Sequence, residues 1–172
     1  VRLNELVQMG TGAIEIKSGY GLTLDAELKM LRVIKRLKAA SDVTIKATFL
    51  GAHALPKEYK DNKDGYMDLV INEMLPIVAK EGLADYVDIF CEDGYFTVED
   101  TKNLLTAANK LGLQSKTHVN QFNAIGGVKA SVDLGALSVD HLEEMAEEDY
   151  EALLGSNCMP TILPSCSFFL GI

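Results

Sequence analysis

"GAIEIKSG", residues 12–19, alternates apolar and ionic side chains before it reaches a glycine. In an extended strand successive side chains point to opposite faces, so Ile14 and Ile16 share one face and Glu15 and Lys17 the other. The same code recurs down the chain. "VTIKATFLGA" (43–52) sets Lys46 and Thr48 against Ile45, Ala47 and Phe49. "YVDIFCE" (86–92) sets Asp88 and Glu92 against Val87, Ile89 and Cys91, and "LQSKTHV" (113–119) sets Lys116 and His118 against Thr117. With "ALSVDH" (136–141) and "NCMPTILP" (157–164) this makes six strand-like runs.

Helical patterns fill the intervals. "TLDAELKMLRVIKRLKAA" (23–40) places Leu28, Leu31 and Ile34 on one face, with Leu37 a turn on. "YMDLVINEMLPIVAKEG" (66–82) ends in Gly82, a C-cap residue, and Pro76 inside it predicts a kink or two short helices. "TVEDTKNLLTAANKLG" (97–112) opens with Thr97 and Asp100 at capping-box spacing, although Glu or Gln is the preferred third partner. Further helices are expected near 124–135 and 146–155. Strands that alternate with helices make an α/β chain with a parallel sheet.

A doubly wound sheet, covered on both sides, should be apolar on both faces. Here one face is ionic on four strands, which suits the interior of a closed barrel holding paired charges; an amphipathic sheet with one wet face is the competing arrangement. Buried charges are costly unless matched. Glu15 and Asp88 are therefore predicted to lie near Lys17, Lys46 or Lys116.

The totals exclude several classes. The 172 residues carry a formal charge of −9, with no basic run, which argues against nucleic acid or an anionic membrane surface as partner. Apolar stretches fall far short of the roughly 20 residues of a membrane span, and no signal peptide opens the sequence. Cys91, Cys158 and Cys166 form no CxxC pair, the usage of reduced thiols in a cytoplasmic protein. Cys91 reads as a small core residue of its strand. The chain begins "VRLNELVQMG", as if part-way along a helix, and stops at "SCSFFLGI" (165–172) with no closing helix, so an internal piece of a longer protein is expected.

All three histidines fall at strand ends: His53 after "ATFLGA", His118 after "SKT" and His141 after "SVD". In a βα barrel that rim carries the active site, and histidines there bind metal or move protons. Asp140 and His141, being neighbours on a strand, should point apart unless the turn begins at His141. The acidic run from Glu143 and Glu144 through Asp149 reads as a solvated helix start. Tyr20, between glycines, could stack on a flat ligand. No dinucleotide fingerprint, P-loop or G-x-S-x-G is present.

With "EIKSGYGL", "ATFLGAHALPKEY", "DIFCEDGYF", "THVNQFNAIGG" and "ALSVDHLEEM" in this order, the sequence resembles the imidazolonepropionase family of the amidohydrolase superfamily over essentially its whole length. The resemblance implies a partial TIM (β/α)8 barrel, strands two to seven of the amidohydrolase type, with the first and eighth strands and a small β-sandwich domain outside residues 1–172. It implies hydrolysis of 4-imidazolone-5-propanoate to N-formimidoyl-L-glutamate, a cyclic amide opened in histidine degradation. The implied cofactor is one metal ion, zinc or iron; the partner is the small-molecule substrate, and the family reading leaves room for a homodimer. His118 would be the metal ligand. His141 would assist the attacking water, and Gln121 would contact the ring and take part in catalysis, while Tyr20 and His53 would bind substrate.

Two departures accompany the resemblance. The superfamily takes further metal ligands from an His-x-His on the first strand and an Asp on the eighth, and neither element is present. The arginine that should grip the substrate carboxylate is also missing. The segment alone is therefore expected to bind metal weakly and to be inactive. The competing functions are another amidohydrolase acting on a cyclic amide or amidine, and a non-catalytic binding barrel.

Overall fold

In the computed structural model, which describes residues 2–172, helix and strand alternate along the chain. The elements are α1 (Arg2–Gln8), β1 (Ala13–Lys17), α2 (Leu24–Ala39) and β2 (Thr44–Ala52), then a 3-10 turn at Lys57–Tyr59. Next come α3 (Lys63–Asp68), a π-helical segment (Leu69–Met74), α4 (Leu75–Glu81), β3 (Tyr86–Cys91) and α5 (Val98–Lys110). They are followed by β4 (Gln114–Ser115), β5 (Thr117–Val119), α6 (Gly127–Asp133), β6 (Ser138–His141), α7 (Glu147–Leu154), β7 (Met159–Thr161) and α8 (Pro164–Leu170). Every strand pairing is parallel. The order is β1-β2-β3-β5-β6-β7, with β4 also on β3. β4 and β5 are two pieces of the run read at 113–119, interrupted at Lys116, whose N–H bonds the Val87 carbonyl. The result is a half-barrel of six parallel strands with helices on its apolar side.

Local chemistry sets the helix boundaries. Thr23 caps α2 by accepting from the Ala26 N–H. At α5 both reciprocal bonds of the capping box form, so Asp100 serves where Glu or Gln is preferred. Pro76 falls at the start of α4, directly after the π segment. A proline cannot donate to the carbonyl four residues back, and the wider π turn takes up the misfit.

The core lies between the apolar strand face and the helices. Phe49, Val87 and Ile89 meet Leu31, Leu104, Leu105, Tyr66 and Met74, all fully buried. A smaller cluster joins Cys91, Val119, Val128 and Val139. Cys91 is a packing residue, and burial pushes its thiol pKa up. A Cβ on Gly127 would stand 2.9 Å from both Cys91 Sγ and Val119 Cγ1, so only glycine lets α6 close onto the strands here.

Two expectations are corrected, and a third, that Glu15 and Asp88 lie near Lys17, Lys46 or Lys116, is met by Lys17 and Lys116. Residues 165–170 are helical: Pro164 starts α8 and Gly171, at φ +74°, ends it. Lys46 stands apart from the central charges, 3.8 Å from Asp85 beside the start of β3, because it lies near the N-terminal end of its strand. Glu143 and Asp149 are not solvated: Glu143 turns towards His141, and Asp149 is 2 % exposed, accepting from Asn120 Nδ2 and the Ala146 N–H. Among the described residues no helix is long and apolar enough to cross a membrane.

Candidate active site

The ionic face condenses into one network. Lys17 Nζ lies 2.9 Å from Glu15, 2.7 Å from Asp88 and 3.6 Å from Asp140. Lys116 pairs with Glu15 and lies 3.8 Å from Asp140. Period-two alternation brings these groups to one face, and the parallel register sets their heights. Burial opposes the charges of Glu15, Lys17 and Asp88, yet their partners win. Desolvation would lower the Lys17 pKa, but Asp88 and Glu15 raise it above the ordinary lysine range. Desolvation would likewise raise Asp88, but His118 and Lys17 hold it well below the usual carboxylate range.

Above this network stand two histidines. His118 is partly buried in β5, with Nδ1 3.0 Å from Asp88 Oδ1 and 2.9 Å from Oδ2. His141 closes β6 at φ +95°, a left-handed conformation that a non-glycine residue rarely takes. Strict strand alternation would send it away from Asp140. The rotated backbone instead returns the ring to the ionic side, 5.3 Å from the His118 ring between centroids. Asp140 also points inward, towards Lys17 and Lys116, and makes no hydrogen bond to His141. Strain of this kind costs about 1–3 kcal/mol and concentrates at functional sites. His141 is 6 % exposed; burial, reinforced by His118, holds its pKa below the ordinary imidazole value, while Glu143 pulls the other way. Its Nδ1 and Glu143 Oε2 are 3.5 Å apart without hydrogen-bond geometry, so both are buried and unpartnered.

Tyr20 and His53 form a second pair, with rings edge-on at 5.2 Å. His53 Nδ1 bonds the Gly19 carbonyl at 3.0 Å. Gly19 sits at φ +98°, and a Cβ there would meet the Leu50 carbonyl oxygen at 2.5 Å, so the turn requires glycine. The loop is tied down from below. Glu27, fully buried in the first turn of α2, accepts from the N–H groups of Gly19, Gly21 and Leu22. Tyr20 itself is 75 % exposed, a ring held at the rim with its face open. Phe90 lies beside both pairs: its ring is 6.4 Å from His53, and it is the register partner of His118.

Gln121 follows β5 and is 8 % exposed. Its Nε2 lies 3.9 Å from Cys166 Sγ in α8. The loop that carries it is again anchored by a buried glutamate. Glu92, 1 % exposed, accepts from the N–H groups of Asp93, Phe122 and Asn123 and from Asn123 Nδ2. Those donors hold its pKa down against the desolvation that would raise it.

Of the residues singled out from sequence, His118 and His141 therefore come together, as do Tyr20 and His53. Gln121 lies two residues beyond the β5 strand on the same rim. Sequence reasoning passed over Glu27, Glu92 and the Asp88–His118 contact. The signals for the glutamates were faint: each is an acidic residue placed next to a glycine- or amide-rich turn that has unpaired N–H groups.

The ligand atoms of Asp88, His118 and Asp140 lie within 4.8 Å of one another, close enough to share a cation. The ammonium of Lys17 already bridges the two carboxylates. His118 is different: its Nδ1 is engaged by Asp88, and Nε2 remains for a ligand bond of the kind that zinc or iron takes from imidazole. The donor chemistry thus fits a metal at His118.

No family model matches the chain. It is 66 % identical over 171 residues to an imidazolonepropionase of Christiangramia forsetii, covering 99 % of this chain and 42 % of that protein. An imidazolonepropionase of Flavobacterium johnsoniae is 60 % identical, with 100 % and 42 % covered, and one of Shewanella oneidensis 50 % identical, with 98 % and 41 % covered. The chain spans about two fifths of the length of these curated relatives. Among solved structures, guanine deaminase from C. acetobutylicum, with guanine bound in its active site, matches with TM-score 0.68 at 13 % identity, covering 99 % of this chain and 44 % of that one. A. niger ochratoxinase matches with TM-score 0.63 at 16 % identity, covering 97 % and 45 %. These likenesses show the shared barrel architecture.

Proposed function

Since this chain belongs to the imidazolonepropionase family, we propose that it forms the central part of a metal-dependent hydrolase that opens 4-imidazolone-5-propanoate to N-formimidoyl-L-glutamate. The observation that carries the reading is the pairing of His118 and His141 over a base of paired charges at the strand-end rim.

The roles are those that the family reading implies, and the geometry supports them. His118 would hold the metal through Nε2, the nitrogen that Asp88 leaves free. When bound, the metal supplies a Lewis acid that lowers the pKa of water from about 15.7 towards about 7. His141, neutral because it is buried, accepts the proton of the attacking water and returns it to the departing ring nitrogen. Gln121 hydrogen-bonds the imidazolone. Tyr20 and His53 bind the substrate from the neighbouring loops, His53 through the nitrogen that Gly19 does not engage. Residues 1–172 alone supply one of the metal ligands that the family requires, and so this chain alone is inactive.

The test is loss of imidazolone propionate, followed spectroscopically, with a longer protein that contains this chain together with the remaining strands. Turnover there, its fall by about 10²–10⁴-fold in His141→Ala, and no turnover by the 172-residue chain are the expected results. Full activity in His141→Ala would overturn the role of His141, and no turnover by the longer protein would overturn the assigned reaction.

A further inference from the structure

We propose that Asp88 is a positioning residue for His118: it accepts the Nδ1 proton, fixes the ring in the Nδ1–H tautomer and leaves Nε2 as the ligand nitrogen. The inference rests on the metal-hydrolase reading and deepens it.

Asp88 is suited to this by its surroundings. Its side chain is fully buried, and it meets His118 Nδ1 at 2.9–3.0 Å and Lys17 Nζ at 2.7 Å. Lys17 is in turn held by Glu15, which Thr48 Oγ1 and Lys116 also engage. A relay of alternating charge thus runs Lys116–Glu15–Lys17–Asp88–His118, from the lower part of the strands to the rim. A carboxylate held between two donors cannot swing away. It accepts from His118 and has no proton to give back, so the proton on that side belongs to the imidazole. Histidines that ligate metals commonly donate their other nitrogen to a carboxylate in this way, which sets the ring orientation and raises ligand basicity.

The alternative is that Asp88 and Asp140 ligate the metal directly beside His118. The position of Lys17 argues against it, since its ammonium lies 2.7 Å and 3.6 Å from the two carboxylates and occupies the space where their ligand atoms converge. A dication there would have to displace a lysine whose affinity for its proton the same carboxylates raise.

The test is ¹⁵N–¹H spectroscopy of the histidine rings in the histidine-labelled 172-residue chain, in mildly alkaline solution. The expected result is a single His118 tautomer with the proton on Nδ1, and a mixture or the Nε2–H form in Asp88→Asn. Added zinc should shift Nε2 and leave the Nδ1 proton in place, with affinity falling about 10–100-fold in Asp88→Asn. If Asp88→Asn fails to fold because Lys17 loses its partner, Lys17→Met/Asp88→Asn supplies the mutant comparison beside the wild-type tautomer. A dominant Nε2–H form in the wild type, or zinc shifting Nδ1 instead, would overturn the proposal. Failure of the hydrolase reading would appear separately, as the Nδ1–H tautomer and zinc response without turnover of imidazolone propionate by the longer protein.

Discussion

Glu92 illustrates what a single side chain contributes. It sits at the end of β3 with almost no exposure, yet it closes the loop that follows a different strand. Hydrogen bonds to a charged group contribute about 1.5–3 kcal/mol. Glu92→Ala should therefore lower stability by about 2–3 kcal/mol in urea unfolding and leave the Phe122–Asn123 amides unpaired. The pH response has a definite sign. Glu92 and Asp100 both have pKa values depressed on folding, Glu92 by loop N–H donors and Asp100 by Lys63 and the Thr97 cap, each against desolvation. Their stabilisation is fully present above the unfolded values of about 4.3 and 3.9 and is lost as pH falls through the lower folded values. Urea midpoints should stay level, as far as these two groups are concerned, above about pH 5 and decline below about pH 4, with a shallower decline in Asp100→Asn. At this scale the histidines and Tyr20 drew attention because each lies next to a strand end or a glycine, whereas Gln121 was named only through the family resemblance. The Asp88–His118 contact was not, because it depends on the register between β3 and β5, which no local pattern encodes.

Elements were legible where periodicity was strong. Alternation marked β1 and β2, and the Leu28–Leu31–Ile34 stripe marked α2, whose Thr23 cap only the structure shows. α8 was missed because the seven residues PSCSFFL are too few to show a helical period, and its two signals, Pro164 and Gly171, were not read as a start and a stop. Glu143 was misread for a related reason: an acidic run looks solvated until the backbone turn at His141 and Leu142 redirects it. Two substitutions test the boundaries. Thr97→Ala removes one half of the α5 capping box and should cost about 1 kcal/mol in unfolding free energy. Gly127→Ala forces a methyl against Cys91 and Val119; an overpacked contact of this kind should cost about 1–3 kcal/mol and lower the melting temperature.

For the molecule as a whole, the half-barrel leaves β1 and β7 each paired on one side only among the described residues. Phe168, Phe169 and Leu154 are each more than 85 % exposed near the β7 edge. Open edges and apolar patches invite self-association. Sedimentation of the 172-residue chain should show association that grows with concentration and weakens in Phe168→Glu/Phe169→Glu. Its ionic concave face was legible from the alternation of four strands, whereas the number of strands that would close it was known only through family resemblance. The two buried glutamates set a different property of the same molecule. Glu27 and Glu92 hold the amides of Gly19, Gly21, Leu22, Phe122 and Asn123, all in loops rather than in helix or strand. In deuterated water these amides should keep their protons on the timescale of neighbouring strand amides. The recognition rim would then be slow to exchange, its rigidity inherited from the interior.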